Sequence, residues 1–193
     1  MENGLRRKIN SHIFRHFVCN EMNYIYFAVA IAAGVCSGAF TAACLDSSLK
    51  AEMTVIFENY RTALRSGGLI LSADIVYDNI LSNIKVVFFL TVSGLSSLAP
   101  VSGILALAVK GFAAGFFTAS AFACLELKAA LPLLLLSLPY QIISVFCLLA
   151  AAGVSAAHRE MHEKTPVYLM QMFLIFLLMI IAALVDILIK KLC

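Results

Sequence analysis

No charged residue interrupts the chain from Tyr24 to Leu45. A helix that crosses a bilayer needs about 20 apolar residues, whereas the core of a secretory signal needs only about 7–15. The run is therefore long enough to span, and further apolar stretches follow at 80–98, 101–124, 129–156 and 167–189. The expected fold is all-α: a polytopic membrane protein, a five-helix transmembrane bundle forming one integral membrane domain over 1–193. Composition agrees, with 62% hydrophobic and 13% charged residues, against roughly 45–50% and ~25% in soluble chains. A chain of 193 residues cannot hide that much apolar surface in a water-soluble core. The net charge of +3 is small and scattered, so no nucleic-acid partner is expected.

The one long polar connection, residues 46–79, has an internal pattern. Met53, Ile56, Phe57, Tyr60 and Leu64 recur at helical spacing, with Glu52, Asn59, Thr62 and Arg65 elsewhere on the turn. This predicts an amphipathic helix stopped by Gly67-Gly68. It lies either on lipid at the interface or on the ends of the spans. Ile56, Phe57, Tyr60 and Leu64 are its candidate docking surface. Ser72 or Asp74 is placed to cap the next helix, and Lys85 can snorkel to the headgroups.

Five spans put the termini on opposite sides. With the N-terminus inside, six Lys/Arg fall inside (Arg6, Arg7, Lys8, Arg15, Arg159, Lys164) and seven outside (Lys50, Arg61, Arg65, Lys85, Lys128, Lys190, Lys191). The count is nearly even. The compact basic flank of the first span favours a cytoplasmic N-terminus, which makes the 46–79 helix extracytoplasmic. The six cysteines show no C-x-x-C pair or metal-ligand spacing, and no disulfide is expected. Thr41-Ala42-Ala43-Cys44 weakly resembles a lipoprotein cleavage box, with Thr41 where a large aliphatic belongs.

Within the spans, Lys110 stands out. A lysine at the centre of a span costs roughly 2.5–3.5 kcal/mol on insertion scales, so it should face the bundle interior, a polar cavity or a partner. Bonding to carbonyls or to Gln141, or snorkelling, are its structural alternatives. Small residues recur at helical spacing in the first span (Ala30, Gly34, Gly38, Ala42) and the third (Gly111, Gly115, Ala119, Ala123). They read as close-contact faces, within the bundle or toward a partner's helix. Pro139 removes a helical hydrogen bond and predicts a kink, and the neighbouring polar Gln141 needs a partner in a dry setting. A small transporter or channel around Lys110, Pro139 and Gln141 is the alternative function. His158 and His162 share a helical spacing, but Arg159 stands where a zinc protease needs Glu. They read as part of a solvated loop, and no metal, cofactor or catalytic residue is expected.

An ordered set of motifs then points to a family. Asn83-Ile84-Lys85 leads to Ser93-Gly94-Leu95-Ser96 before Pro100. Lys110-Gly111 with Gly115-Phe116 follows, then Leu138-Pro139-Tyr140-Gln141-Ile142-Ile143. Together with the basic N-terminus, these resemble the stage II sporulation protein M family of endospore-forming bacteria, over nearly the whole chain and best from about 80 to 157. One position differs: Tyr140 follows Pro139 where the family carries a residue such as Gln or His. The resemblance implies a non-enzymatic scaffold in the mother-cell membrane, at the septum and the engulfing membrane. Its implied partners are two peptidoglycan hydrolases, stage II sporulation proteins D and P, of which one is a lytic transglycosylase and the other cuts the peptide stem. The number of copies that assemble is not legible in the sequence.

Overall fold

The computed structural model describes residues 21–65, 69–96, 98–160 and 165–192, and within them the side chains of 23–62, 81–96, 98–158 and 165–186. The basic segment with Arg6, Arg7, Lys8 and Arg15, the Gly67-Gly68 stop, the Ser72 and Asp74 side chains, His162, Cys19 and Cys193 lie outside these. The described residues form helices only: α1 Glu21–Ala43, α2 Ser47–Arg65, α3 Leu69–Gly94, α4 Ala99–Cys124, α5 Leu127–Glu160 and α6 Thr165–Leu192. Four of them, over Asn23–Ala43, Ala99–Cys124, Leu127–His158 and Thr165–Asp186, are long and apolar enough to cross a membrane. Their outward faces carry large apolar side chains such as Phe40, Phe146, Met170 and Phe173, which suit hydrocarbon and not water. The protein is membrane-embedded.

The second expected span is the exception. α3 is 26 residues long; among the described residues its apolar stretch is Leu81–Gly94, and the sequence of its first half carries Asp74, Asp78 and Asn79. It ends at Gly94, and the chain turns over Ser93–Leu98. The Ser96 amide donates to the Ser93 carbonyl (2.9 Å), and the Leu98 amide to the Ser96 hydroxyl (3.2 Å). Pro100 then falls in the first turn of α4, where its missing N–H costs nothing. α5 runs as continuous helix through both Pro132 and Pro139. Both rings lie on the exposed side of α5.

α1 packs most extensively on α4. The two run parallel: Gly34 lies against Ala108 and Phe112, and Gly38 one turn later against Phe112 and Phe116. The remaining helices close a core of Phe27, Leu90, Leu107, Leu148, Tyr168 and Met172. α2 lies across the far end of this bundle. Phe57 is 3% exposed and packs with Ala121, Leu125, Ala130, Leu133 and Leu134, flanked by Met53 and Tyr60. The Thr54 hydroxyl reaches the Cys124 carbonyl at 3.4 Å, one of the acceptors that a helix end leaves open.

Candidate functional site

The polar side chains of the bundle meet along one seam between α3, α4, α5 and α6. At its centre, Lys110 Nζ donates to Asn83 Oδ1 at 2.9 Å, and Asn83 Nδ2 donates to the Tyr140 hydroxyl at 2.7 Å. The direction of this chain is chemically fixed. A lysine can only donate, so the amide must turn its oxygen to it and its NH2 to Tyr140. Tyr140 accepts, and its own proton is left to donate onward. Asp186, on α6, is likewise buried, at 2%. Lysine, amide and phenol thus follow one another across the bundle, from half-buried Lys110 to buried Tyr140. In a low-dielectric interior such hydrogen bonds are stronger than in water.

A second polar group surrounds the end of α3. The Tyr168 hydroxyl donates toward the carbonyls of Thr91 (2.8 Å) and Leu90 (3.3 Å), and the Ser155 hydroxyl donates to Leu90 at 2.9 Å. Ser102 donates to Ser93 at 2.7 Å. Gly94 makes room for this: a Cβ there would overlap the Tyr168 hydroxyl and Ser155 Oγ. Here α3 stops within protein, and side chains of α5 and α6 take up its last carbonyls. The His158 ring stacks on Tyr168 with centroids 4.3 Å apart. His158 therefore belongs to α5 and its packing, not to a solvated loop, because α5 continues as far as Glu160.

The small-residue faces are spent inside the molecule. A Cβ on Gly34, Gly38, Gly111 or Gly115 would strike the backbone of Ala108, Phe112, Ile31 or Val35 respectively. These four positions let α1 and α4 approach backbone to backbone and present no surface to a partner. The docking residues divide. Phe57 faces the bundle and is unavailable, Tyr60 is half-buried beside it, and Ile56 points outward at 58% exposure. Neighbours on a helix stand about 100° apart, and here Phe57 turns to the bundle while Ile56 turns away from it. The Leu64 side chain lies outside those described.

Gln141 is half-buried, but Lys110 bonds Asn83 in its place, because the Asn83 amide reaches across from α3. Pro139 is exposed, and the inward polar contact is made by its neighbour Tyr140. Among the described residues no group of three His, Cys, Asp or Glu side chains could hold a metal. Asn83, Tyr140, Ser155, Tyr168 and Asp186 are the site residues that periodicity does not reveal. Their one signal is a polar group inside an apolar run. Comparison with protein-family models, with curated proteins and with solved structures gives no match.

Proposed function

We propose that the chain is a non-enzymatic membrane scaffold that recruits and organises peptidoglycan hydrolases, of the stage II sporulation D and P type, for septal thinning and engulfment during endospore formation. In this proposal α3 is a fifth span, the N-terminus is cytoplasmic, and α2 lies on the wall side of the mother-cell membrane. The resemblance through Asn83-Ile84-Lys85, Lys110-Gly111 and Pro139-Tyr140-Gln141 supports it. The observation that carries it is the placement of α2. Phe57 fixes the helix to the bundle while Leu49, Val55 and Ile56 stay exposed, a ridge that an extracytoplasmic enzyme can bind. Recruitment raises the local concentration of weakly binding enzymes at the membrane.

The test is recovery of the tagged full-length chain from sporulating cells in mild detergent. A peptidoglycan hydrolase should co-purify, and Val55→Ser with Ile56→Ser should reduce its recovery severalfold without loss of helicity. A folded preparation that brings down no wall enzyme contradicts the scaffold.

One observation favours a second function. The seam from Lys110 through Asn83 to Tyr140 places an ionisable side chain among polar partners inside the bundle, as in transporters. Substrate-dependent flux into vesicles, abolished by Lys110→Leu, would establish it.

A further inference from the structure

We infer that the outer face of α3 draws phospholipid headgroups into the bilayer core as far as Lys85, whose side chain receives their phosphate. This stands apart from the scaffold proposal, since it requires neither a wall enzyme nor α2. The depth of Lys85 follows from hydrogen bonds between α3 and α4. Asn83 bonds Lys110, which lies 11 residues after Ala99 and 14 before Cys124, about 16 and 21 Å from the two ends of α4 at 1.5 Å per residue. Ser93 bonds Ser102 near the start of α4. Lys85 stands between these two anchors, only about 3 Å along the helix from Asn83. It therefore belongs to the middle of the hydrocarbon, whether or not α3 itself crosses the membrane. Yet Lys85 is exposed, while Asn83, Val87 and Leu90 on the opposite side of α3 are buried. The four-carbon stem of a lysine is far shorter than the ~15 Å from midplane to headgroups in a ~30 Å core, too short to snorkel to an undisturbed headgroup layer.

The outer face of α3 divides at this level. Toward Gly94 it carries Phe88, Phe89 and Val92, exposed and apolar, which suit lipid tails. In the other direction it carries exposed Ser82. At 100° per residue, positions 74, 78, 82 and 85 fall within about 80° of one another, so the sequence continues this stripe with Asp74 and Asp78. One half of the face suits an intact leaflet and the other half does not. An exposed charge at this depth is accommodated by local thinning of the bilayer and entry of water, and the polar half is where that thinning belongs. The phosphate is the anion that lipid itself brings, and it pairs with a lysine through a charge-assisted hydrogen bond. A second copy of the chain does not fit, because a two-fold axis along the membrane normal would set Lys85 against Lys85 at one height.

The test uses the full-length protein in vesicles of phosphatidylcholine and phosphatidylglycerol. Transbilayer movement of a fluorescent phospholipid, read by quenching with external dithionite, should be severalfold faster than in protein-free vesicles. Lys85→Leu should remove most of this gain and Lys85→Arg should keep it. Far-UV circular dichroism checks that both variants fold. A separate readout is water along the stripe, since a thiol reacts as its thiolate, which forms where water reaches. With the six native cysteines replaced by serine, Ser82→Cys should react with a membrane-impermeant maleimide severalfold faster than Phe89→Cys, and adding Lys85→Leu should slow it. Lipid movement no faster than in protein-free vesicles, or unchanged by Lys85→Leu, overturns the inference. So does a folded Ser82→Cys variant that reacts no faster than Phe89→Cys, a result that would assign this face to a partner's helix.

Discussion

The α1–α4 interface and the seam between α3, α5 and α6 solve one problem by opposite means. Inside a membrane, helices gain little from hiding apolar surface, because lipid is as apolar as leucine. α1 and α4 remove side chains: Gly34, Gly38, Gly111 and Gly115 bring backbone against backbone. α3, α5 and α6 instead add polar side chains, and Asn83, Tyr140, Ser155 and Tyr168 bond across the gaps. The first solution depends on shape and tolerates no added atom. The second depends on hydrogen bonds and loses them one at a time.

The largest effect should follow from Gly38→Leu. Its side chain would have to occupy the space of the Phe112 carbonyl and the Phe116 amide, and backbone does not rotate away. A loss of about 3 kcal/mol or more is expected, read as a large fall in the thermal midpoint in detergent. A midpoint unchanged by this variant would show that α1 and α4 are not in close contact. Asn83→Leu should come next, at about 2 kcal/mol, since it strands the Lys110 ammonium and one bond of Tyr140. Pairing it with Lys110→Met sharpens the comparison. The double variant should recover part of the loss, and strict additivity would contradict the coupling of the two side chains.

Tyr168→Phe deletes only the hydroxyl bonds to Thr91 and Leu90. Interhelical hydrogen bonds in membranes average about 0.6 kcal/mol with a maximum near 1.7, so a loss of about 1 kcal/mol is expected by denaturant or thermal titration. The smallest effect belongs to Ile56→Ser. The residue is exposed at 58%, and stability should stay within about 0.5 kcal/mol. A large destabilisation there would place Ile56 inside an interface within the chain.

Much of this architecture is legible in the sequence because a bilayer imposes a length. The apolar runs near 24–45, 101–124, 129–156 and 167–189 correspond to α1, α4, α5 and α6. α3 is harder to read. It is helical over 26 residues, and the acidic Asp74 and Asp78 in its sequence break up the apolar run that marks a span. The small-residue spacing identifies both close faces, but nothing in periodicity says that they face each other. The polar seam is the least legible part. Asn83 and Tyr140 lie 57 positions apart, and Leu90 and Tyr168 lie 78 apart. Each is locally ordinary and acquires meaning only from its partner. The amphipathic pattern of α2 is visible, but which of Ile56 and Phe57 turns inward is decided by the hollow between Ala121, Leu125 and Leu133.

In the proposed scaffold, partners meet the exposed ridge of α2, while the glycine faces are consumed within the bundle. Photo-crosslinking of the full-length chain in sporulating cells tests it most directly, with the reactive side chain at Ile56 or, as a lipid-facing control, at Met170 (58% and 73% exposed). Capture of a peptidoglycan hydrolase from Ile56 and none from Met170 is the expected result. Capture at Met170 alone, or no hydrolase at either position, would contradict the claim.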